Sequence, residues 1–488
     1  MKTRTNRYGL VAVLAVGGLA SAGLGQTRVD RLWGQKCVEC HAGRGDGARG
    51  GSLAGTSDWL GTRDRELYDA VLAHGEGADG GGLPAFEDGT TGGDLTPSEA
   101  WALVNHLREF QEQARKGREP APRPLVRGVY QSEHHGYRVE RVVTSGLETP
   151  WSVAWLADGR MLVADRPGDL RVVDGRQRVP VRELPAIHEV GQGGLMDVET
   201  HVDGDGTEWV YLSYTHQAGG NYMTRIVRGT LAQAGRGAMR WTGEEVIWEA
   251  DEDDYLSGGL HYGCRLVFDG QGHLYFPIGE RGRAEHAQDL TRPNGKVHRV
   301  RVDGSIPEDN PFVGEGEGVY ASIWSYGHRN PQGLAMDSEG VLWDTEHGPR
   351  GGDEVNIVER GLNYGWPLVS FGMNYSGQPL EAPWADVVGV DEPIAMPVFR
   401  WLPSIAACGL DVVRADAPMF DGWEGDLLAG GLAGQVVERL RFVDGEITER
   451  EEILRGVGRV RDVAIGPDGA VYVVLNGPDE VWRLVEAE

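Results

Sequence analysis

Two kinds of apolar spacing divide the chain. Over residues 65–72 and 96–108 apolar side chains recur at intervals of three or four, which predicts amphipathic helices. The second stretch opens with Thr96-Pro97-Ser98-Glu99, in which Thr96 is a suitable N-cap and Pro97 suits the first helical turn. Beyond residue 135 this spacing disappears, and short apolar alternations follow glycine turns instead. That pattern is typical of an all-β domain.

A turn-and-strand repeat runs through the β region. Six times, an Asp-Gly or Asp-x-x-Gly turn leads into an apolar strand, at residues 158–163, 205–211, 269–276, 337–343, 421–428 and 468–473. Six such units over about 350 residues predict a propeller with six four-stranded blades, and the irregular spacing places insertions between the blades. A two-sheet sandwich is the alternative, which the length of the region disfavours.

Composition sets the expected domain limits in a chain of 488 residues, which is too long for one core. Residues 1–26 combine a basic start, an apolar run and a small-residue stretch, which predicts a signal peptide and a periplasmic or secreted protein. A retained membrane anchor is the alternative, although the run is short for a spanning helix. Residues 27–117 then form a small all-α domain, 118–135 a proline-rich linker, and 136–488 the mainly β, six-bladed domain.

The formal net charge is -27 at pH 7. Such acidity argues against nucleic acid and anionic membranes as partners. After residue 26 no segment is apolar enough to cross a bilayer, so we expect no membrane span in the mature chain.

The peptide Cys37-Val38-Glu39-Cys40-His41 has the C-x-x-C-H spacing of covalent haem c attachment. Cys37 and Cys40 would form thioethers to the porphyrin, and His41 would be the proximal ligand of the haem iron. A redox dithiol or half of a zinc site is the alternative, which the adjacent histidine disfavours. The helical domain is therefore predicted to be a cytochrome c domain that carries one electron at a time.

The sequence does not decide which ligand lies on the other side of the iron. Small cytochromes usually supply a methionine from a G-M-P-x-F peptide, but the corresponding stretch here, residues 82–86, has Leu83 in place of methionine. No methionine occurs between Met1 and Met161, so this domain cannot provide thioether ligation. An open site, His74 and His106 are the three alternatives.

Several peptides of the β region, in their order along the chain, carry a resemblance to a known family. They are residues 150–152, 164–168, 191–197, 261–266, 326–333, 346–354, 363–367 and 459–462. Residues 139–486 thereby resemble the soluble aldose sugar dehydrogenases that depend on pyrroloquinoline quinone (PQQ), the glucose and sorbosone dehydrogenase family. The resemblance implies a propeller that binds PQQ and calcium.

The resemblance also implies a catalytic set. His261 matches the base that takes a proton from the sugar hydroxyl, since a neutral imidazole accepts protons near neutral pH. Glu280 falls where the family has an acid that orients this base, although aspartate is usual there. Gln192 matches a glutamine on the substrate side.

Cofactor contacts follow from the same likeness. PQQ bears three carboxylates on a flat quinone, and guanidinium groups bind carboxylate in pairs or stack on rings. Arg329, Asn330, Arg459 and Arg461 match the family's cofactor contacts, and Ser404 matches a hydroxyl contact. Surface ion pairs are the alternative for the arginines.

Calcium is expected in two places. The backbone carbonyls of Gly348 and Pro349 match the ligands of the ion beside the quinone, where it acts as a Lewis acid. Glu354 and Tyr364 match a second, structural calcium site, through a carboxylate and a backbone oxygen.

The expected protein is a quinohaemoprotein that oxidises an aldose-type sugar at its anomeric hydroxyl. Electrons would pass from PQQ to its own haem c, and then to an external cytochrome or oxidase. The alternatives are a non-catalytic carbohydrate-binding or haem-sensor propeller and a calcium-dependent propeller lactonase, because one fold serves many functions. Cys264 and Cys408, the two cysteines outside the haem motif, are expected as one disulfide or as two buried thiols.

Overall fold

The computed structural model describes residues 27–45, 52–53, 61, 63–73, 90, 92–119, 121–122, 127–235, 237–263, 265–381, 393–414 and 419–487. The predicted signal peptide, His74, Leu83, Cys264 and the side chain of Cys40 lie outside this description. Among the described residues no helix is both long enough and apolar enough to cross a membrane.

The described N-terminal residues contain four α-helices: α1 (Arg28–Lys36), α2 (Val38–His41), α3 (Asp64–Leu72) and α4 (Pro97–Arg118). Short 3-10 turns lie at Gly92–Asp94, Glu252–Asp254 and Ala284–Gln288. Thr96 accepts from the Glu99 backbone and Glu99 caps the Thr96 amide, so α4 begins with a capping box. Both helices predicted from the apolar spacing are confirmed.

Twenty-five strands lie in the described residues that follow the helices. The first ten are β1 (Val129–Gln131), β2 (Gly136–Val143), β3 (Pro150–Trp155), β4 (Met161–Asp165), β5 (Asp169–Asp174), β6 (Gln177–Arg182), β7 (Leu195–Val202), β8 (Glu208–Ala218), β9 (Asn221–Gln233) and β10 (Met239–Trp248). The next eight are β11 (Val267–Phe268), β12 (His273–Ile278), β13 (Lys296–Arg301), β14 (Ile323–Tyr326), β15 (Pro331–Met336), β16 (Leu342–Glu346), β17 (Asp353–Ile357) and β18 (Phe399–Trp401). The last seven are β19 (Ala407–Val412), β20 (Leu427–Gly431), β21 (Val436–Val443), β22 (Glu446–Arg455), β23 (Arg459–Ile465), β24 (Val471–Asn476) and β25 (Glu480–Glu486).

These strands form antiparallel units along the chain. Three four-stranded sheets hold β11 to β14, β15 to β18 and β19 to β22 in order. An eight-stranded sheet joins the unit β3 to β6 to the unit β7 to β10 through a short parallel pairing of β6 with β10. The fifth sheet has the order β1-β2-β25-β24-β23, so that a strand from the start of the β domain completes a unit from its end. The described strands therefore form several sheets, and the two-sheet sandwich is wrong.

The predicted turns lead into corresponding strands of these units. The six apolar segments that follow them lie in β4, β8, β12, β16, β20 and β24, each the second strand of its unit. The glycine of each turn has a positive φ, between +69° at Gly270 and +87° at Gly206, which side chains with a Cβ rarely adopt. The repeat in the sequence is thus confirmed as a repeat in the fold.

The helical domain lies against the β domain along helix α4. Tyr68, Ala100, Trp101 and Val104 pack in one apolar cluster with Phe371 of the β domain. The Trp101 Nε1 donates to the Phe371 carbonyl at 3.1 Å. The two domains therefore share a core, and the linker is not their only connection.

Cys408 is a buried free thiol in strand β19. The disulfide alternative for Cys264 and Cys408 is therefore not supported. The thiol fits a packed position because a free cysteine behaves as a small apolar side chain.

Candidate functional site

A histidine and a carboxylate lie in direct contact at the mouth of the β domain. His261 Nδ1 lies 2.5 Å from Glu280 Oε1, and the backbone amide of His261 donates to Gln192 Oε1 at 2.8 Å. Glu280 is buried, whereas Gln192 is exposed. The structure thus brings together the three residues that the resemblance assigned to catalysis.

The electrostatics of this pair favour a neutral imidazole. Burial lowers the pKa of His261, and the charge of Arg329 lowers it further, against the hydrogen bond that His261 donates to Glu280, which raises it. Burial acts to raise the pKa of Glu280, but the hydrogen bond from His261 outweighs it and holds that pKa below its usual value. Glu280 therefore stays ionised and His261 is ready to accept a proton.

The loop that presents His261 is tightly built. His261 itself has a φ of +48°, an unusual conformation for a residue with a Cβ. Asn330 is buried, and its Oδ1 accepts from the Gly263 amide at 3.2 Å. Asn330, predicted as a cofactor contact, thus supports the loop of the base. A strained conformation of this kind persists only where its surroundings hold it.

Arg329 connects this pair to a second loop. Its Nη1 donates to the carbonyls of His347 and Gly348, at 2.9 and 3.1 Å, and its guanidinium lies 5.3 Å from the ring centre of Trp366. Burial lowers the pKa of His347 to about 3, with a further contribution from Arg329, so this imidazole is neutral as well. Arg329 therefore holds positive charge against the loop that carries Gly348 and Pro349.

Two further predicted arginines contribute cationic charge. Burial lowers the pKa of Arg459, and the ion pairs between described residues include none for its guanidinium. Arg461 places its guanidinium 4.1 Å from the ring centre of Trp151, while its carbonyl accepts from Arg265 at 2.6 Å. Half-buried cations in an acidic protein are suited to an anionic ligand.

Ser404 is connected to the same loop through the carboxylate of Asp353. Its hydroxyl donates to Asp353 Oδ1, which also accepts from the Gly348 amide at 3.0 Å. The other Asp353 oxygen accepts from the Ala407 amide at 2.9 Å. Ser404, predicted as a cofactor contact, is thus tied to the backbone conformation of residue 348.

Acidic side chains gather behind this loop. Asn356 Nδ2 lies within hydrogen-bonding distance of Asp344 (3.1 Å), Glu346 (3.4 Å) and Glu354 (3.3 Å). Burial raises the pKa of Asp344 and of Glu354 well above their usual values, and the neighbouring Glu346 adds to both effects. Carboxylates this crowded gain most from a cation that neutralises them.

One histidine joins the acidic group. The His328 Nδ1 lies 3.4 Å from Glu346 and 3.5 Å from Asp344, and ligand atoms of these three residues are close enough to hold one metal ion. The ring of Tyr364 stacks on His328 with 4.4 Å between centres. Glu354 and Tyr364, predicted together as calcium ligands, do line one pocket.

The pocket is lined by polar and aromatic residues of several elements, among them Arg329, Glu346, His347, Gly348, Pro349, Glu354, Tyr364 and Trp366. Within and beside it, buried polar atoms have no hydrogen-bond partner among the described residues: Glu280 Oε2, Arg329 Nε, His347 Nε2 and Trp366 Nε1. Buried polar groups normally find partners, so this set fits a polar ligand that offers acceptors to the nitrogen atoms and a donor to Glu280 Oε2. A flat quinone with three carboxylates fits the donors, and calcium fits the carbonyl and carboxylate oxygens.

The haem peptide lies in the helical domain, around Trp33. Cys37 ends helix α1 and its amide donates to the Trp33 carbonyl at 2.9 Å, while the His41 amide donates to the Cys37 carbonyl at 2.9 Å. Cys37 and His41 are thus one helical turn apart, which places them on the same side of the peptide. This arrangement is compatible with attachment and proximal ligation of one haem.

His106 is engaged in packing. Its Nδ1 lies 3.1 Å from Glu109 and its Nε2 lies 3.6 Å from Asp30, and its ring packs on Phe110 at 4.5 Å between centres. Both ring nitrogens therefore face carboxylates. Of the alternatives for the sixth iron ligand, this contact pattern disfavours His106.

Known families match both parts of the chain. Residues 147–483 match the family model described as Glucose / Sorbosone dehydrogenase. The chain belongs to the glucose/sorbosone dehydrogenase family. Residues 26–111 match the Cytochrome c model, so this member of the glucose/sorbosone dehydrogenase family has an N-terminal cytochrome c domain, which implies haem c. The family resemblance seen in the sequence is confirmed.

Relatives within the glucose/sorbosone dehydrogenase family cover the β domain. The aldose sugar dehydrogenase YliI of Escherichia coli (strain K12) is 39% identical over 341 residues, which cover 69% of this chain and 89% of that protein. The crystal structure of the soluble E. coli aldose sugar dehydrogenase in its apo form is 37% identical, with a TM-score of 0.64 over 72% of this chain and 100% of that one. The PQQ-bound aldose sugar dehydrogenase of Streptomyces coelicolor is 25% identical, with a TM-score of 0.57 over 72% and 98%. The β domain thus has the fold of these aldose sugar dehydrogenases.

Several residues of the site were missed in the sequence. His347 and Trp366 lie inside the family peptides, but their sequence context predicts no function for them. Asp353 connects Ser404 to Gly348, a contact that the sequence does not predict either. Asp344 and Glu346 alternate along the buried strand β16, and two acidic residues at this spacing could have indicated a cation site.

Proposed function

We propose that this chain is an exported quinohaemoprotein dehydrogenase. It oxidises an aldose-type sugar at the anomeric hydroxyl with PQQ and calcium, and it passes the electrons through its own haem c to an external cytochrome or oxidase. In this proposal the antiparallel units of residues 136–488 are the blades of a six-bladed propeller, and residues 1–26 are a signal peptide. Family membership and the cytochrome c domain support it.

The observation that carries the proposal is the contact of His261 with Glu280 beside Gln192. Because the Glu280 carboxylate accepts the proton on Nδ1, the other ring nitrogen of His261 has its lone pair available for a proton from the substrate. Glu280 then stabilises the imidazolium that results. A purely carbohydrate-binding surface needs no such pair.

The remaining residues bind and orient. Arg329, Arg459 and Arg461 would hold the PQQ carboxylates, and Asn330 and Ser404 would support the loops around them. The Gly348 and Pro349 carbonyls would hold one calcium ion, and Glu354 and Tyr364 a second. When bound, the quinone takes up the two electrons of the oxidation, calcium polarises it, and haem c accepts electrons singly. The chain's own contribution is to hold the sugar against the base and to exchange its proton.

A haem-reduction assay tests the proposal. Haem-loaded full-length protein is mixed with PQQ and Ca²⁺, and the reduced haem band is followed after each of a panel of aldoses is added. We expect reduction with at least one aldose, dependent on PQQ and lost with His261→Ala. Haem that stays oxidised while PQQ binds would favour the sensor or binding alternative. Lactone hydrolysis that needs calcium but no PQQ would favour the lactonase.

A further inference from the structure

Helix α4 carries a polar stripe that is buried. Asn105, Arg108, Gln111 and Arg115 follow one another at helical spacing, and each is no more than 3% exposed. Buried polar side chains require partners, and a helix with such a face must pack against something that supplies them. The partners belong in part to the β domain.

A buried carboxylate bridges the two domains at one end of this contact. Asp64, at the start of α3, is 0% exposed. Arg108 Nε donates to its Oδ1 at 2.6 Å within the helical domain, and Arg400 Nε, from strand β18, donates to its Oδ2 at 3.0 Å. Arg400 also donates to the Gly61 carbonyl at 3.0 Å. Separating the domains would take one of the two guanidinium partners away from this carboxylate.

The next contact reaches the loop of Gly348 and Pro349. Arg350 binds Glu109 of α4 with two parallel hydrogen bonds, both 2.7 Å long. Burial acts to raise the pKa of Glu109, but hydrogen bonds with His106 and Arg350 outweigh it and keep that pKa low, so the pair is ionic. Paired bonds of this kind fix orientation as well as distance.

The Asn105 side chain of helix α4 also approaches the backbone of the same loop. A Cβ on Gly351, which has a φ of +79°, would lie 2.6 Å from Asn105 Oδ1. On the side of the β domain, two backbone hydrogen bonds hold the loop. The Arg350 amide donates to the Met373 carbonyl and the Gly352 amide donates to the Trp401 carbonyl, both at 2.9 Å. Residues 347–352 are thus enclosed between the β domain and the cytochrome domain.

We propose that the cytochrome domain is docked in one fixed pose and forms the outer wall of loop 347–352, so that Glu109 braces the loop whose carbonyls would hold calcium. The domain is then a structural part of the cofactor pocket in addition to being an electron acceptor. The bracing itself needs no bound ligand, whereas its effect on calcium rests on the proposed function.

Hydrogen exchange in metal-free, haem-loaded full-length protein tests the bracing. In Glu109→Gln we expect the amides of peptide 347–353 to exchange roughly tenfold faster, as loss of a charged hydrogen-bond partner predicts. Arg400→Gln, which leaves Asp64 paired with Arg108, should also loosen α4 from the β domain. Glu66→Gln is the matched control, since Glu66 pairs with Arg63 on the exposed side of α3. Unchanged exchange in both interface variants would overturn the proposal.

If Glu109→Gln fails to fold, Arg350→Gln removes the same pair from the other side and should give the same result. The double variant should be no worse than Glu109→Gln alone, because that substitution already removes the pair with Arg350. In a second experiment, calcium titration by calorimetry should show roughly tenfold weaker binding in Glu109→Gln, as for other partners that orient metal ligands. Wild-type protein that binds no calcium would count against the proposed function, and the exchange result would still decide the docking.

Discussion

Glu280 holds His261 by a contact of 2.5 Å between Oε1 and Nδ1, which makes the pair the chemical centre of the site. His261→Ala should therefore lower turnover by about two or more decades, as is usual when a general base is lost, while PQQ still binds. His134→Ala, at an exposed position, is the control. Steady-state rates with an aldose and a dye acceptor give the comparison, and a normal rate in His261→Ala would remove this residue from the mechanism.

The pH dependence of kcat/KM should reflect the contact between His261 and Glu280. His261 acts only as the neutral imidazole, and its pKa lies below the ordinary 6.5, so kcat/KM should hold in mildly acid solution and fall at lower pH. Because Glu280 raises the pKa of His261, Glu280→Gln should move the acid limb to still lower pH while it reduces the maximal rate. A limb that moves to higher pH would contradict the assigned contact.

Calcium should stabilise the fold through the acidic group. Removal of divalent cations should lower the melting temperature, and added Ca²⁺ should restore it. The free energy of unfolding should rise by about 2.7 kcal/mol when calcium exceeds its Kd a hundredfold. Glu354→Gln should abolish most of this increment, whereas Glu339→Gln, on an exposed turn of the same sheet, should retain it. Scanning calorimetry with and without calcium distinguishes the two. Equal increments in both variants would argue against a cation at Glu354.

Arg459 should matter for the cofactor more than for the fold. No described carboxylate forms an ion pair with it, so Arg459→Gln should change the melting temperature little. Loss of a charged hydrogen bond to a PQQ carboxylate should weaken PQQ binding roughly tenfold or more. Fluorescence titration with PQQ measures this, with Arg182→Gln at an exposed position as the control. Unaltered affinity would place Arg459 outside the cofactor site.

The haem should show no methionine ligation. Since the helical domain has no methionine and His106 faces Glu109 and Asp30, we expect a spectrum without the methionine-to-iron charge-transfer band and rapid carbon monoxide binding to the ferrous form. His106→Ala should leave the spectrum of the iron unchanged. Slow carbon monoxide binding would instead indicate a histidine ligand, with His74 as the candidate.

The sequence was most informative where local chemistry repeats. Each Asp-Gly or Asp-x-x-Gly turn requires a positive φ, so its glycine and the strand after it can be identified without knowledge of the rest of the fold. The family resemblance likewise assigned His261, Glu280 and Gln192 to one catalytic set. Side chains whose roles depend on distant partners were not predictable. The role of Asp64 as a buried ion-pair partner cannot be inferred without Arg400, which is more than 300 residues away in the sequence.

The same limit applies to the relation between the domains. A proline-rich linker suggests two tethered bodies, and only the structure shows Trp101 packed with Phe371 in a shared core. The buried polar face of α4 was present in the sequence, but helical periodicity alone cannot distinguish a solvated polar face from one that meets another domain.

The pairing of β2 with β25 sets an order of events during synthesis. Residues 136–143 leave the ribosome long before their partner, residues 480–486, because most of the β domain lies between the two strands. This sheet therefore cannot close until residues 480–486 have been made, whereas the last of the four helices already ends at Arg118. The helices that carry Cys37 and His41 can thus fold while the partner strand of β2 has still to be made.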